Sequence, residues 1–411
     1  MSSLSFPKDK INILLLEGIH SNAVDHLAAN GYANVTRLPG ALDEADLIAQ
    51  MPDIHMVGIR SRTKLTEKVI AAAEKLFCVG CFCIGTNQVD LTAARVRGIP
   101  VFNAPYSNTR SVAELVIGEI IMLMRGAYTK SVQAHRGEWI KSAEGSNEIR
   151  GKTLGVVGYG HIGSQLSVMA EALGMNVIYF DIEEKLALGN AQPVPTLGAL
   201  LEASDVVSLH VPATPQTKDM IGTDEIRRMK KGSYLLNLAR GNVVDIDALD
   251  AALGDGHLAG AAIDVFPKEP ASKMESFESP LRKYDNVILT PHVGGSTQEA
   301  QANIGVEVAG KLIKYSDNGS TLGAVNLPTV SLPTHDGATR FLHIHRNVPG
   351  VLSAINDVFS DRSLNIAGQY LMTDGDIGYV VIDAEGHIEA GMGVRKAMEG
   401  INGTLRARVL Y

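Results

Sequence analysis

Residues 156–163 read VVGYGHIG, and the placing of the three glycines decides the fold of this chain. Gly158, Gly160 and Gly163 follow an apolar run, TLGVVGYG (153–160), and open a helical pattern, SQLSVMAEALG. There the first glycine permits a tight turn, the second a close approach to a phosphate, and the third tight packing of helix on sheet. The helix start leaves unpaired amides aimed at the same place, which suits a pyrophosphate. Alone, the glycine spacing is weak, because any turn can carry it. Asp181 strengthens it by closing the next apolar run, NVIYFD (176–181). A carboxylate there accepts from the adenosine ribose and repels a 2′-phosphate, so the unit reads as a site for NAD rather than NADP. The competing reading has Asp181 merely capping a helix that begins near Glu183.

Outward from this unit, short apolar runs recur at DVVSLH (205–210), SYLLNLA (233–239), GAAIDVF (260–266) and NVILTPH (286–292). Helical stretches separate them, which is the pattern of a doubly wound parallel sheet. A second βα series precedes it: INILLLEG (11–18), IHMVGIR (54–60), LFCVGCF (76–82) and IPVFNAP (99–105). Residues 109–135 carry a long apolar stripe and predict one long helix or two in succession. Residues 297–316 are helical again, and 319–340, rich in Gly, Pro, Thr and Ser, read as a linker. The tail alternates FLHIHR, a helical GVLSAINDVFSDR, LNIAGQYLMT, IGYVVIDAEG, a weaker helix HIEAGMGVRKAMEG, and TLRARVLY. That βαββαβ order is ferredoxin-like.

Composition excludes several functions. Lysine and arginine number 37 against 45 acids, a net charge of -8, so a general nucleic-acid binder is not expected. A local basic pocket for an anionic metabolite remains compatible. The start, MSSLSFPKDKINILLLEG, lacks a signal-peptide pattern, and no apolar run is long enough to span a bilayer. The expectation is a cytoplasmic protein with no membrane partner. Cys78, Cys81 and Cys83 raise the question of a metal, but their apolar neighbours predict a buried strand of free thiols, and no metal site is expected.

Three polar residues stand at or just beyond predicted strand ends, where open α/β sheets bind ligands. Arg240 follows SYLLNLA, Glu269 follows GAAIDVF by a short loop, and His292 closes NVILTP. Arginine can hold a carboxylate bidentately. Histidine can take a hydroxyl proton near neutral pH, and a glutamate can orient it. Each alone could be a surface arginine, a loop acid or a strand cap; together, beside a dinucleotide unit, they point to hydride transfer from a 2-hydroxy acid.

VVGYGHIG, LNLARG, DVFPKEP and TPHVGGSTQEAQ together resemble the D-isomer-specific 2-hydroxyacid dehydrogenase family, and nearly the whole chain resembles its serine-biosynthetic members. The resemblance implies Arg240, Glu269 and His292 as the catalytic set, with glutamate where members acting on formate use glutamine. It extends the NAD contacts from Gly158, Gly160, Gly163 and Asp181 to His161, Ile162, His210, Pro212, Ala239, Arg240, Asp264, His292, Gly294 and Gly295. It implies a flavodoxin-like substrate domain (1–107, resumed with a linker at 296–336), an inserted cofactor domain (108–295) and a ferredoxin-like ACT domain (337–411). The expected reaction is NAD-dependent oxidation of D-3-phosphoglycerate to 3-phosphohydroxypyruvate, with reduction of 2-oxoglutarate as a second activity.

In the first domain, Arg60 and Arg62 flank Ser61 at a strand end, and side chains two apart on an extended segment share a side. They suit a second anion on the substrate, or else they are exposed arginines at a turn. The resemblance assigns them to the substrate phosphate, lines the cleft with Asn108, and places Trp139 and Lys141 at a subunit contact near a neighbour's site. It likewise gives the tail an L-serine effector held by His345, Asn347 and Asn365 across two paired tails, in a homo-oligomer, a tetramer. The alternatives are a sister enzyme for another small 2-hydroxy acid and a non-enzymatic NAD-sensing corepressor.

Overall fold

The computed structural model describes residues 6–270, 275–334, 338–385 and 388–410. They form two compact units, 1–107 with 301–411, and 108–300.

The first unit holds a parallel sheet of β1 (Ile13–Leu15), β2 (Val35–Arg37), β3 (Met56–Ile59), β4 (Cys78–Cys81) and β5 (Val101–Asn103), ordered β2-β1-β3-β4-β5. This is the flavodoxin-like order, whose ligand position is the switch point between β1 and β3. Alternate residues feed two apolar layers. Ile13, Leu15, Met56 and Cys78 meet Ile304, Val308 and Leu312 of the helix Gln298–Asn318. Leu14, Val57, Val79 and Cys81 meet Leu47 and Ile70 on the other face. Cys78 and Cys81 therefore lie in opposite layers, and burial pushes the Cys78 thiol up to about 12. The edge strand β2 escaped the sequence reading because it is three residues long and largely exposed, with no apolar run to mark it.

The second unit holds β6 (Thr153–Val157), β7 (Asn176–Phe180), β8 (Gln192–Pro193), β9 (Val206–Leu209), β10 (Ser233–Asn237), β11 (Leu258–Ile263) and β12 (Val287–Leu289). All pair in parallel in the order β12-β11-β10-β9-β6-β7-β8, the doubly wound arrangement with its switch beside β6. The stripe at 109–135 is two helices, Thr109–Met124 and Ala127–His135, broken where Gly126 turns left-handed at φ 58°.

The tail is an antiparallel sheet of β13 (Thr339–Arg346), β14 (Ile366–Asp374), β15 (Ile377–Ala384) and β16 (Thr404–Leu410), ordered β14-β15-β13-β16. Helices Val351–Ser360 and Ile388–Glu399 cover one face through Ile355, Phe359, Val394 and Met398. The second helix forms despite Gly391 and Gly393, since tertiary packing outweighs about 1 kcal/mol of propensity per glycine.

The other face is covered by Leu327, Val330 and Leu332, from the stretch expected to be a linker. Far from a loose tether, this stretch is stitched down. Thr321 N donates to Val330 O (2.9 Å), Val330 N to Thr321 Oγ1 (2.8 Å), and Thr321 Oγ1 to Pro328 O (2.7 Å). Its Ser, Thr and Asn residues act as local hydrogen-bonding groups rather than as flexible spacers. Arg340, fully buried, grips Asp383 bidentately (2.6 and 2.7 Å) and donates to Asn318 O and Pro333 O. Breaking one side of such a pair typically costs about 3–5 kcal/mol. Among the described residues no helix is long and apolar enough to cross a membrane.

Candidate active site

The glycine loop joins β6 to the helix His161–Ala172. Gly158 has φ +91°, and a Cβ there would lie 2.6 Å from His210 O; one on Gly163 would lie 2.2 Å from Gly158 O. No other residue fits either place without moving backbone. Gly160 caps the helix with no side chain, so the first-turn amides at His161, Ile162 and Gly163 face an open approach.

Asp181, just past β7, accepts from Tyr159 N (2.7 Å) and Glu183 N (3.0 Å). It ties the glycine loop to the bend at 182–183, and no helix starts there. Each oxygen keeps a further lone pair for a ribose hydroxyl. NADP should accordingly be used several-fold to about a thousandfold less well than NAD in kcat/KM, because its 2′-phosphate meets an anion. Equal kcat/KM for the two cofactors would sink this reading of Asp181. Beyond β9, burial pushes His210 down to about 4, keeping it neutral, with Nε2 2.9 Å from Ser208 Oγ and Nδ1 buried without a partner among the described residues. Pro212 follows, exposed.

Three successive strands deliver the catalytic candidates. After β10, buried Asn237 splints the turn: its Oδ1 accepts from Ala239 N (3.1 Å) and its Nδ2 donates to Arg240 O (3.0 Å). Arg240 emerges half-buried, one Nη donating to Ala239 O (2.7 Å). After β11, Glu269 accepts from Phe266 N (3.1 Å) and lies 3.1 and 2.9 Å from His292 Nδ1. A carboxylate only accepts, so Nδ1 carries the hydrogen and Nε2 is left to exchange a proton.

Charge follows geometry. The hydrogen bond to Glu269 raises the His292 pKa above its ordinary value, against burial and the nearby Arg240 cation. Burial works to raise the Glu269 carboxyl, but hydrogen bonds from His292 and the Phe266 amide outweigh it and leave it lowered, helped by Arg240.

His292 adopts φ 55°, a left-handed conformation that persists only where its surroundings over-determine it. Asp264 does so. Its carboxylate accepts from Thr290 Oγ1 (2.6 Å), Val293 N (2.8 Å) and Gly294 N (2.8 Å), and its carbonyl from His292 N (2.8 Å). Asp264 thus clamps the histidine loop. Asn108 packs on the same loop, since a Cβ on Gly295 would come 2.2 Å from Asn108 Nδ2.

Arg60, Ser61 and Arg62 belong to the first unit. The chain bends at 61–62 instead of staying extended, and the reason is a residue the sequence reading missed. Glu17, just past β1 and 4% exposed, accepts from Arg60 N (3.0 Å), Arg62 N (3.0 Å) and Thr63 N (2.8 Å). Burial works to raise its carboxyl, yet these amides together hold it below the ordinary range. The loop wraps the carboxylate and leaves Arg62 exposed and Arg60 half-buried at the β1/β3 switch point. The only sequence signal was an acid closing the first strand, in LLLEG.

Trp139 is 89% exposed and Ile140 52%, so the single tryptophan is not a core residue. Lys141 beside them is exposed too.

In the tail, His343 and His345 are buried side by side, Nδ1 to Nδ1 3.3 Å. Thr404 Oγ1 gives its hydrogen to Met398 O (2.9 Å), so it accepts from His343 Nε2 (2.8 Å). His343 Nδ1 is then an acceptor, His345 Nδ1 its donor, and His345 Nε2 a lone pair. Burial and the neighbouring His345 push His343 down to about 4, keeping it neutral. Asn347 donates from Nδ2 to Gly375 O (3.1 Å), whereas Asn365 lies at the far end of β14, its carbonyl accepting from Glu385 N (3.0 Å). Nine residues of β14 span about 30 Å. His345, Asn347 and Asn365 do not meet within one chain.

Residues 117–294 match the family described as D-isomer specific 2-hydroxyacid dehydrogenase, NAD binding domain, and 341–406 match an AHAS small subunit-like ACT domain. The D-3-phosphoglycerate dehydrogenase of Escherichia coli K12 is 61% identical over 411 residues, 100% of both chains. That of Dictyostelium discoideum is 49% identical over 407 residues, 99% of each. Among solved structures, the D-lactate dehydrogenase of Aquifex aeolicus complexed with NAD and lactic acid is 26% identical, with a TM-score of 0.67 over 77% of this chain and 100% of that one.

Proposed function

The chain belongs to the D-isomer specific 2-hydroxyacid dehydrogenase family, and from that premise we propose that it oxidises D-3-phosphoglycerate to 3-phosphohydroxypyruvate with NAD, the first step of serine biosynthesis. The observation that carries the chemistry is the Glu269–His292 pair, with Arg240 in electrostatic reach of both, on consecutive strand ends of the sheet that bears the glycine loop.

Bound NAD supplies the hydride acceptor. Arg240 holds the substrate carboxylate and polarises the C2 oxygen. His292 Nε2 takes the hydroxyl proton while the C2–H bond breaks with its electron pair, leaving a C2 carbonyl. Glu269 fixes the tautomer and stabilises the imidazolium that forms. In reduction, protonated His292 returns the proton.

The Glu17-wrapped loop supports a substrate with a second anion. Arg60 and Arg62 supply the cations for the phosphate, with Ser61 between them, and Asn108 lines the substrate side of the histidine loop. NADH formation across 3-phosphoglycerate, glycerate, lactate and 2-hydroxyglutarate tests the substrate. With Arg60→Ala and Arg62→Ala combined, KM for 3-phosphoglycerate should rise at least about tenfold, the worth of one charged hydrogen bond. Rates with lactate or glycerate should hardly move. An unchanged KM for 3-phosphoglycerate would make the arginines mere surface residues. The same variant decides whether 2-oxoglutarate reduction uses this anion site.

The tail is an amino-acid sensor in this reading, with L-serine as the inhibitory effector. Its three candidate residues can converge only if a second tail lies antiparallel along β14, which ends the sheet with one edge unpaired among the described residues. His345 Nε2 accepts from the effector's ammonium or hydroxyl, and Asn347 and the partner tail's matching asparagine complete the set. Exposed Trp139 and Ile140, with Lys141, form a further subunit contact, and the assembly is a cytoplasmic homotetramer.

A further inference from the structure

Resting on the effector reading above, we propose that Arg95 is the latch that passes events at the Asn347 loop to the strand leading into the catalytic unit. Arg95 lies in the helix Leu91–Val96 of the flavodoxin-like sheet layer. Its guanidinium reaches two segments at once, the stretch at Asn326 and the hairpin at 374–376. One Nη donates to Asn326 O (2.9 Å) and Asp374 Oδ2 (3.1 Å); the other donates to Asp374 O (2.5 Å) and Asp376 Oδ1 (3.1 Å).

Both ends of this contact lead somewhere. On the tail side, the hairpin 374–377 is what the effector loop hangs on, for Asn347 N donates to Asp376 O (2.7 Å) and Asn347 Nδ2 to Gly375 O (3.1 Å). An effector that takes the Asn347 amide competes directly with Gly375. On the other side, Asn326 is 5% exposed and spliced into β5. Its Oδ1 accepts from Val101 N (2.9 Å) and its Nδ2 donates to Ile99 O (2.9 Å). Strand β5 ends at Asn103, and the chain passes into the catalytic unit between Ser107 and Asn108.

A surface ion pair alone stabilises little, and the Asp374 and Asp376 side chains are 62% and 82% exposed. The fork differs from such a pair because two of its four bonds go to backbone carbonyls and the Arg95 side chain is only 21% exposed. Nor is it needed to hold the tail on. Buried Arg340, donating to Asn318 O and Pro333 O, and the 320–332 stitch packed under the tail sheet already do that. Arg95 therefore adds a specific linkage between hairpin and strand, as coupling requires, rather than attachment.

The test uses the full-length enzyme and Arg95→Ala. Basal kcat should stay within about twofold and the calorimetric Kd for serine within about threefold, while the serine concentration for half-inhibition rises about tenfold or more, within the usual range of coupling effects. Arg95→Lys, with charge but no fork, should fall between the two. Inhibition of Arg95→Ala at the parent's serine concentration would overturn the latch. Hydrogen exchange without serine is an independent measurement. The Asn347 and Val101 amides should exchange about tenfold faster in Arg95→Ala, and unchanged protection of both would overturn the latch whatever the effector is. Failure of serine to bind the parent would instead overturn the effector reading, and the exchange comparison would still decide the latch.

Discussion

His292→Ala should lower kcat by about 10²–10⁴ and leave the fold intact. The imidazole is 53% exposed and fills no core, so its removal opens no cavity. The clamp that shapes its loop uses Asp264 with Thr290 Oγ1 and the amides of Val293 and Gly294, none of which touches the ring. What disappears is the Nε2 lone pair, leaving only water to take the hydroxyl proton. One complication is conformational. His292 sits at φ 55°, and alanine there carries a strain of about 1–2 kcal/mol. Asparagine tolerates the left-handed region better, so His292→Asn separates strain from chemistry. It should melt within a degree or two of the parent and be as inactive as the alanine variant. Steady-state kcat and a thermal melt on both variants suffice. Activity within threefold of the parent in either would assign the proton to another group.

The placing of the three catalytic candidates was legible because a parallel sheet presents its chemistry at strand carboxyl ends, and each of them stands a short step beyond an unmistakable apolar run. Glu17 was not legible. Its role depends on amides contributed by residues 60–63, and nothing in LLLEG distinguishes a buried carboxylate from a solvated loop acid. Asp264 was expected to meet the cofactor; its clamp on the histidine loop was invisible because it is a matter of loop conformation. The stretch after Asn318 misled for a related reason. Its composition is that of a linker, but Ser320, Thr321 and Asn326 turn their short polar side chains onto backbone and lock it. The tail shows the reverse case. Alternation in FLHIHR already put His343 and His345 on one face of a strand, so the ring pair was there to be read, although the Thr404 partner that sets their hydrogens was not.

Glu269→Gln should shift the pH profiles of both directions of reaction to lower pH and affect the two rates unequally. The glutamine oxygen can still accept from His292 Nδ1, so tautomer and orientation survive, but the negative charge that stabilises the imidazolium is gone. In the parent, the Glu269 hydrogen bond raises the His292 pKa above 6.5. Oxidation requires the neutral ring, so its rate grows as pH rises through that raised pKa. Reduction requires the imidazolium, so its rate is full below the pKa and is lost as pH rises through it. Removing the charge lowers the pKa. The rising limb for oxidation then shifts to lower pH, and the falling limb for reduction shifts the same way, so that reduction near neutral pH loses protonated enzyme. In reduction the ring is charged already in the ground state, so its plateau rate loses little. Oxidation loses a charge-assisted hydrogen bond to a ring that gains its charge in the transition state. At about 1.5–3 kcal/mol that amounts to roughly 10–150-fold in kcat. Above the parent pKa oxidation shows its full loss while reduction loses protonated enzyme. Below it the gain in neutral ring partly offsets the loss for oxidation. The asymmetry is the signature, because a variant that merely loosened the site would depress both directions equally. Profiles of kcat/KM against pH in both directions read it out. Limbs that stay where the parent has them would mean that Glu269 orients the histidine without setting its charge.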